Sequence, residues 1–260
     1  MTDWLWSTAV YGSALIALIG AAGVIRPFAW LHGRSRRRGL VMIAGGIAAA
    51  VALAMITPSA TSSAERNGID AFAPVFHFRE HHAITVSAPP DRVFATIKAV
   101  TADEIALFNL FTAIRRFGRP GPESILNAPR QQPILDVATR TGFHLLVDRA
   151  PRELAIGSVV VAPRRTNQPG DLPQGTRRQF TSDDFRTLAQ PGFAKATMNF
   201  IVTDVGNGTS RIDTETRVFA TDGAALRRFT PYWRIIFPGS SILRSTWLSA
   251  IKRRAERPPS

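Results

Sequence analysis

Cysteine is absent from the 260 residues. Its absence excludes disulfides, thiol nucleophiles and cysteine-held metal sites, and leaves the compartment open. Lysine is nearly absent as well. Lys98, Lys195 and Lys252 are the three, so almost all of the 32 basic residues are arginine. Acidic side chains are scarce before residue 59, where Asp3 stands alone against Arg26, Arg34, Arg36, Arg37 and Arg38. The short motifs of common chemistry are missing too. There is no phosphate loop, no Gly-x-Gly-x-x-Gly, no Gly-x-Ser-x-Gly elbow and no His-Glu-x-x-His. These absences remove the usual nucleotide-binding, serine-hydrolase and zinc-protease readings.

What is present begins with charge. The net charge of +13 sits on a chain that is 45% apolar, an ordinary share for a folded protein. Arginine in excess suits solvated positions, and it also suits anionic lipid headgroups. No basic helix with interleaved aromatics occurs, so nucleic acid is not an expected partner.

Trp4 to Ile25 carries no charge over 22 residues, and Leu40 to Pro58 carries none over 19. At about 1.5 Å per residue each approaches or exceeds the roughly 30 Å hydrocarbon core of a bilayer. Trp4, Trp6 and Trp30 flank the first run as interfacial aromatics do. The basic loop from Arg26 to Arg38 between the runs belongs in the cytoplasm by the positive-inside rule. Both termini, and the rest of the chain, then lie on the far side. Small residues at Ser13/Ala17/Ala21 and Gly46/Ala50/Ala54 are spaced for close helix pairing in lipid. Two other readings stay open: a pair of buried helices, and a signal peptide over Arg34–Ala64. A retained two-pass hairpin at residues 1–58 is the reading taken, and either membrane reading exports the remainder of the chain.

Residues 59–76 are polar, small and proline-bearing, and read as a tether to a folded domain at 77–260. His77, His81 and His82 crowd six residues, but the spacing is not His-Glu-x-x-His and no cluster of acidic or cysteine ligands stands nearby, so exposed histidines at a strand edge are expected rather than a metal site. His82, Ile84, Val86 and Ala88 share one face of a first strand, and Pro89-Pro90-Asp91 starts a helix carrying Val93, Phe94 and Ile97. Asp103–Phe117 reads as one very apolar helix, which either is buried on two sides or uses some of Phe108, Phe111 and Ile114 to line a cavity mouth or touch the bilayer. A short helix follows at Ile134–Thr141, ended by Gly142. Strands are expected at Phe143–Asp148 and Leu154–Val161, with a polar loop at Arg164–Gly175.

Ala196–Thr203 and Arg211–Thr221 alternate as two strands around Gly206-Asn207-Gly208. Arg211, Asp213, Glu215 and Arg217 share one face, expected to be an outer, cross-charged surface. Thr214 and Thr216 fall on the other, where hydroxyls could orient a ligand. Asp222 is placed to cap a long helix. Its apolar stripe runs through Leu226, Phe229, Trp233, Ile236 and Phe237, is broken at Pro238-Gly239, and resumes at Leu243, Trp247 and Ile251.

This order, one strand, two helices, several antiparallel strands and a long last helix, is that of the helix-grip fold. From about Phe78 to Glu256 the chain resembles the SRPBCC (START/polyketide-cyclase-like) superfamily, and within it bacterial members. The likeness is carried by Gly142–Leu146 with Arg152–Gly157, Pro191–Lys195, Thr214–Arg217, Arg228–Arg234 and Pro238–Arg244. It implies an α+β domain with an apolar cavity between a curved antiparallel sheet and the terminal helix, taking lipids, polyketides or other apolar molecules. The candidates for that cavity are Phe108, Phe111, Ile114, Met198, Phe200, Thr214, Thr216, Phe229, Trp233 and Trp247. The residues offer no acid–base set and imply no cofactor or metal. A membrane-held binder of an apolar molecule is therefore expected first, with membrane lipids as partners. An enzyme on an apolar substrate and an interaction module with a filled core are the alternatives.

Overall fold

The computed structural model describes residues 2–25, 36–63, 67–116, 118–119, 121–163 and 181–258. The tip of the basic loop and the whole polar loop expected at Arg164–Gly175 lie outside the described residues.

The chain falls into two compact units, Met1–Thr57 with Leu226–Pro238, and Pro58–Ala225 with Gly239–Ser260. The first is helical. Helices α1 (Thr2–Ile25) and α2 (Arg36–Met55) form an antiparallel hairpin, and both are long and apolar enough to cross a membrane. Leu5, Leu15, Leu18, Leu40, Val41 and Val51 are exposed on them. Water would penalise such a surface and hydrocarbon would not. The helices touch through small residues, as the spacing predicted. A Cβ on Gly46 would stand 2.7 Å from Ser13 O and Ala17 N, and one on Gly20 would stand 2.7 Å from Gly39 O. No larger side chain fits there, because the two backbones meet directly.

The second unit opens with two short strands, β1 (Thr61–Ser62) and β2 (Val75–Phe76), which pair with each other. The main sheet has five antiparallel strands: β3 (Phe78–Val86), β4 (His144–Arg149), β5 (Glu153–Val161), β6 (Ala194–Gly206) and β7 (Thr209–Ala220). Their order across the sheet is β3-β7-β6-β5-β4. The β6–β7 hairpin turns where glycine and asparagine announced it: Gly206, Asn207 and Gly208 all have positive φ.

Five helices accompany the strands: α3 (Pro90–Ala99), α4 (Phe108–Arg115), α5 (Ile134–Thr141), the short α6 (Ser182–Thr187) and α7 (Gly223–Ala255). One sheet face carries Val86, Ile212, Val202, Phe200, Met198, Leu154 and Ile156. Against it pack Val93, Phe94 and Ile97 of α3, Ile134, Leu135 and Ala138 of α5, and Trp247, Leu248 and Ile251 of α7. The long helix is capped by the Asp222 carboxylate, which accepts from Ala225 N–H at 2.7 Å. A mixed α+β domain with an antiparallel sheet and a long terminal helix on its inner face matches the helix-grip expectation.

Four expectations change. Asp103–Phe117 is not one helix. A 3-10 turn at Ala102–Glu104 is followed by Leu107 at φ 62°, and only then does α4 begin. The turn is held by Thr101 and Glu104 capping each other, which takes the chain out of line before α4. Second, the interruption read at Pro238-Gly239, which left open a bend or a division, does not divide the helix: α7 is continuous through it and through Pro231. Third, the stretch expected as a tether is structured. It forms β1, a 3-10 turn at Gly68–Ala71 and β2, with Ile69 and Ala73 fully buried.

Fourth, that segment covers part of the sheet's outer face. Arg211 and Asp213 stay near solvent as expected, but Arg217 is 1% exposed and Glu215 3%. Arg217 donates to Glu215 Oε1 at 2.7 Å, Asp70 Oδ1 at 2.6 Å, Ala73 O at 3.0 Å and Ser63 Oγ at 3.0 Å. Arg79 adds a bond to Glu215 Oε1 at 2.7 Å. Alternation told which residues share the face, but not that residues far back in the chain would roof it.

Candidate functional site

The inner face changes character along the strands. Beyond the apolar core, β3 presents Glu80 and His82, paired across to Thr216 and Thr214 of β7. β6 presents Met198 opposite Thr216. Over them lie Ser240, Ser241, Arg244 and Ser245 of α7, one turn apart or less. A strand period of two and a helix period of 3.6 bring these separated residues to one place.

Arg244 is the centre. One guanidinium nitrogen donates to Thr216 Oγ1 at 3.0 Å and another reaches Met198 Sδ. Its Cζ stands 6.0 Å from the Phe200 ring centroid and 5.3 Å from that of Trp247, and the two rings meet edge to face at 5.3 Å. Cation–π contact with two rings holds the guanidinium in an apolar setting. Burial pushes it below its ordinary pKa, opposed by the charge of Glu80. Among the described residues it has no carboxylate within ion-pair distance, so the cation is held by weak acceptors alone.

Beside it lies a second array. Glu80, 4% exposed, accepts from His82 Nε2 at 2.9 Å and from Ser240 Oγ at 3.1 Å. With that proton facing Glu80, His82 Nδ1 is the acceptor, 3.2 Å from Ser245 Oγ. Ser241 Oγ lies 3.3 Å from Nε2. His82 is thus half-buried on the inner face, not an exposed edge histidine. His81 does point outward, 3.1 Å from Asp213. His77 accepts from Ala220 N–H at 3.2 Å and stacks on Phe219. Among the described residues no group of three or more histidine and acidic side chains stands ready for a metal ion.

The candidates named from sequence divide into four groups. Met198, Phe200, Thr216 and Trp247 meet around Arg244, the first two and Trp247 buried and Thr216 half-buried. Phe108 is buried in the same core, Phe111 is half-buried, 3.3 Å from where a Cβ on Gly239 would stand, and Ile114 is exposed. Thr214 faces inward as expected, yet its hydroxyl is spent on Asn199 O at 2.6 Å. Phe229 and Trp233 belong to the other unit, in a ladder of rings with Phe237 and Trp4. Arg244, Glu80, His82 and Ser245 were not named as candidates. Arg244 had a signal, being an arginine on an otherwise apolar stripe, one position from Leu243. An open depression of about 650 Å³ lined by Asp103, Pro129, Arg130, Gln131 and Gln132 contains none of these residues.

No family model matches the chain and no curated protein matches it. Solved structures similar to it include the Zhui aromatase/cyclase from Streptomyces sp. R1128, at 13% identity over 69% of this chain and 94% of that one, TM-score 0.28. CalU16 from Micromonospora echinospora matches at 13% identity over 76% and 94%, TM-score 0.25. A hypothetical protein of Helicobacter pylori matches at 8% identity over 75% and 98%, TM-score 0.33. Likenesses this distant say nothing of chemistry. The class follows from the geometry above: an α+β helix-grip domain joined to two apolar helices, with a cationic, serine-rich end to its inner face.

Proposed function

We propose that this protein is a two-pass membrane protein whose helix-grip domain, on the extracytoplasmic side, binds a hydrophobic or lipid-like small molecule on the inner face of its sheet. The observation that carries this is Arg244. A half-buried cation among apolar groups that served only stability would be neutralised by a carboxylate, because an unpaired charge in such a setting is costly. Arg244 instead is held among Phe200, Trp247 and Met198 with one hydroxyl partner. Apolar walls around one placed polar group are what small-molecule sites have in common. The likeness to the SRPBCC superfamily supports the same reading, and the anchor would keep the site at high effective concentration of membrane-derived ligands.

The full chain in detergent is expected to bind the neutral probe N-phenyl-1-naphthylamine and the anionic probe anilinonaphthalene sulfonate saturably. Arg244→Met should weaken the anionic probe at least tenfold and leave the neutral one within about twofold, a difference of about 1.4 kcal/mol or more. Failure of the wild-type chain to bind either probe would overturn the reading and favour the filled-core interaction module.

A second reading, catalysis, is favoured by the Ser245–His82–Glu80 arrangement, which has the order of hydroxyl, base and orienting acid used in nucleophilic catalysis. It stands second because the Ser245 hydroxyl also lies 3.0 Å from Ser241 O. Mid-helix, backbone N–H groups are committed and cannot form an oxyanion hole.

A further inference from the structure

The first half of α7 is unlike the second. Leu226–Pro238 belongs to the unit made by the apolar hairpin. Arg234, 1% exposed, pairs with Asp3 Oδ1 at 2.6 Å and lies 5.4 Å over the Trp6 ring. The Tyr11 hydroxyl donates to Ile235 O at 2.7 Å. Trp4 meets Phe237 edge to face at 5.4 Å, and Phe237, Trp233, Phe229 and Tyr232 continue the line of rings. Tyr232 and Ile235 are exposed, as are Leu5 and Tyr11 of α1.

These contacts fix a depth. Asp3 and Tyr11 are separated along α1 by about 12 Å at 1.5 Å per residue. The neighbours Arg234 and Ile235 reach both. The Tyr11 hydroxyl reaches to the Ile235 carbonyl, while Arg234 and Phe237 meet Asp3, Trp6 and Trp4, so the segment lies near the start of α1. Aromatic rings around an arginine at a helix start are what the interface between hydrocarbon and headgroups favours. Pro231 and Pro238 each remove an N–H, leaving a carbonyl one turn earlier without its helical donor. Helices in lipid tolerate such breaks where neighbours supply donors. Arg227 and Arg228 are exposed at the start of the segment, where headgroup phosphates would lie.

We infer that Leu226–Pro238 is itself held in the membrane: a stretch of α7 lying along the outer-leaflet interface beside the start of α1, with Tyr232 and Ile235 against lipid and Arg227 among headgroups. The occupant of this exposed face is the bilayer, since the face continues the lipid-facing surface of α1. The inference rests on the membrane reading of the hairpin.

Absence of cysteine makes the test direct. Single cysteines at Ile235, Tyr232, Arg227, Leu15 and Val205 would be spin-labelled in the full chain, in phosphatidylcholine–phosphatidylglycerol nanodiscs. Collision with oxygen is then compared with collision with a water-soluble nickel complex. Ile235→Cys and Tyr232→Cys should favour oxygen as Leu15→Cys does, and Arg227→Cys and Val205→Cys should favour nickel. Nickel access at both 232 and 235, or protection from both reagents, with Leu15 still oxygen-favouring, would overturn the interfacial stretch alone. Nickel access at Leu15 would overturn the membrane reading and this inference with it.

Discussion

Arg217 and Arg244 are both largely withdrawn from water and both close to the same sheet, on opposite faces. Arg217 is saturated: two carboxylates, a carbonyl and a hydroxyl meet its guanidinium. Arg244 has a hydroxyl, a thioether and two aromatic faces. Withdrawing an arginine from water costs solvation on either face, and more at Arg217, which is buried, than at Arg244, which is half-buried. The outer one recovers it within the fold. The inner one recovers it in part, through one hydroxyl, a thioether and two rings. The outer arginine is a structural clamp that ties residues 61–76 to the sheet. The inner one is the arginine proposed above to meet a ligand.

The comparison is broken most easily at Arg217. Arg217→Met leaves Glu215 and part of the Asp70 carboxylate withdrawn from water without their cation. It should cost about 3–5 kcal/mol, read as a lowered denaturation midpoint of the full chain in detergent. A loss below about 1 kcal/mol would mean that Arg79 alone suffices for Glu215. The matched change on the other face is Arg244→Met. Glu80 keeps His82 and Ser240 as donors, and the methionine stem refills the space between Phe200 and Trp247. Stability should stay within about 1 kcal/mol of wild type or rise. A loss as large as that at Arg217 would make Arg244 a clamp too.

The smallest effect is one of pH. Burial would push the Asp70 carboxyl up, but hydrogen bonds from Arg217, the Asn67 N–H and Ser63, together with the Arg217 charge, outweigh it and hold it below the usual carboxylate range. A carboxyl depressed in the folded state contributes stability above its unfolded value, near 4, and loses it as pH falls through the folded value. Denaturation midpoints should therefore fall from pH 5 to pH 3, and less steeply in Asp70→Asn. Equal slopes would mean that Asp70 does not report on the Arg217 clamp.

The sharpest differences between expectation and structure have a common source. Alternation placed Thr216 and Met198 inward and Glu215 and Arg217 outward, and register confirmed each. It could not say that the outward pair would be covered, because the cover comes from Asp70 and Ala73, nearly 150 residues away in the chain. The same limit hid the His82 site. Three histidines in a polar strand look solvated until Ser241 and Ser245 are brought over them by a helix that begins after residue 222. Helix stripes likewise put Phe229 and Trp233 with Trp247, since periodicity treats one helix as having one partner.

The sequence by itself determined the two apolar helices, the five strands of the main sheet and its glycine turn, the α5 stop and the Asp222 cap. These depend on hydrophobic period, length and local backbone preference, which neighbouring residues carry. Only the tertiary structure decided which arginine is buried and paired with carboxylates, which histidine is enclosed, and that α7 serves the sheet with one half and the apolar hairpin with the other. Those outcomes depend on which distant groups come within about 3 Å, and no local pattern in the chain encodes that distance.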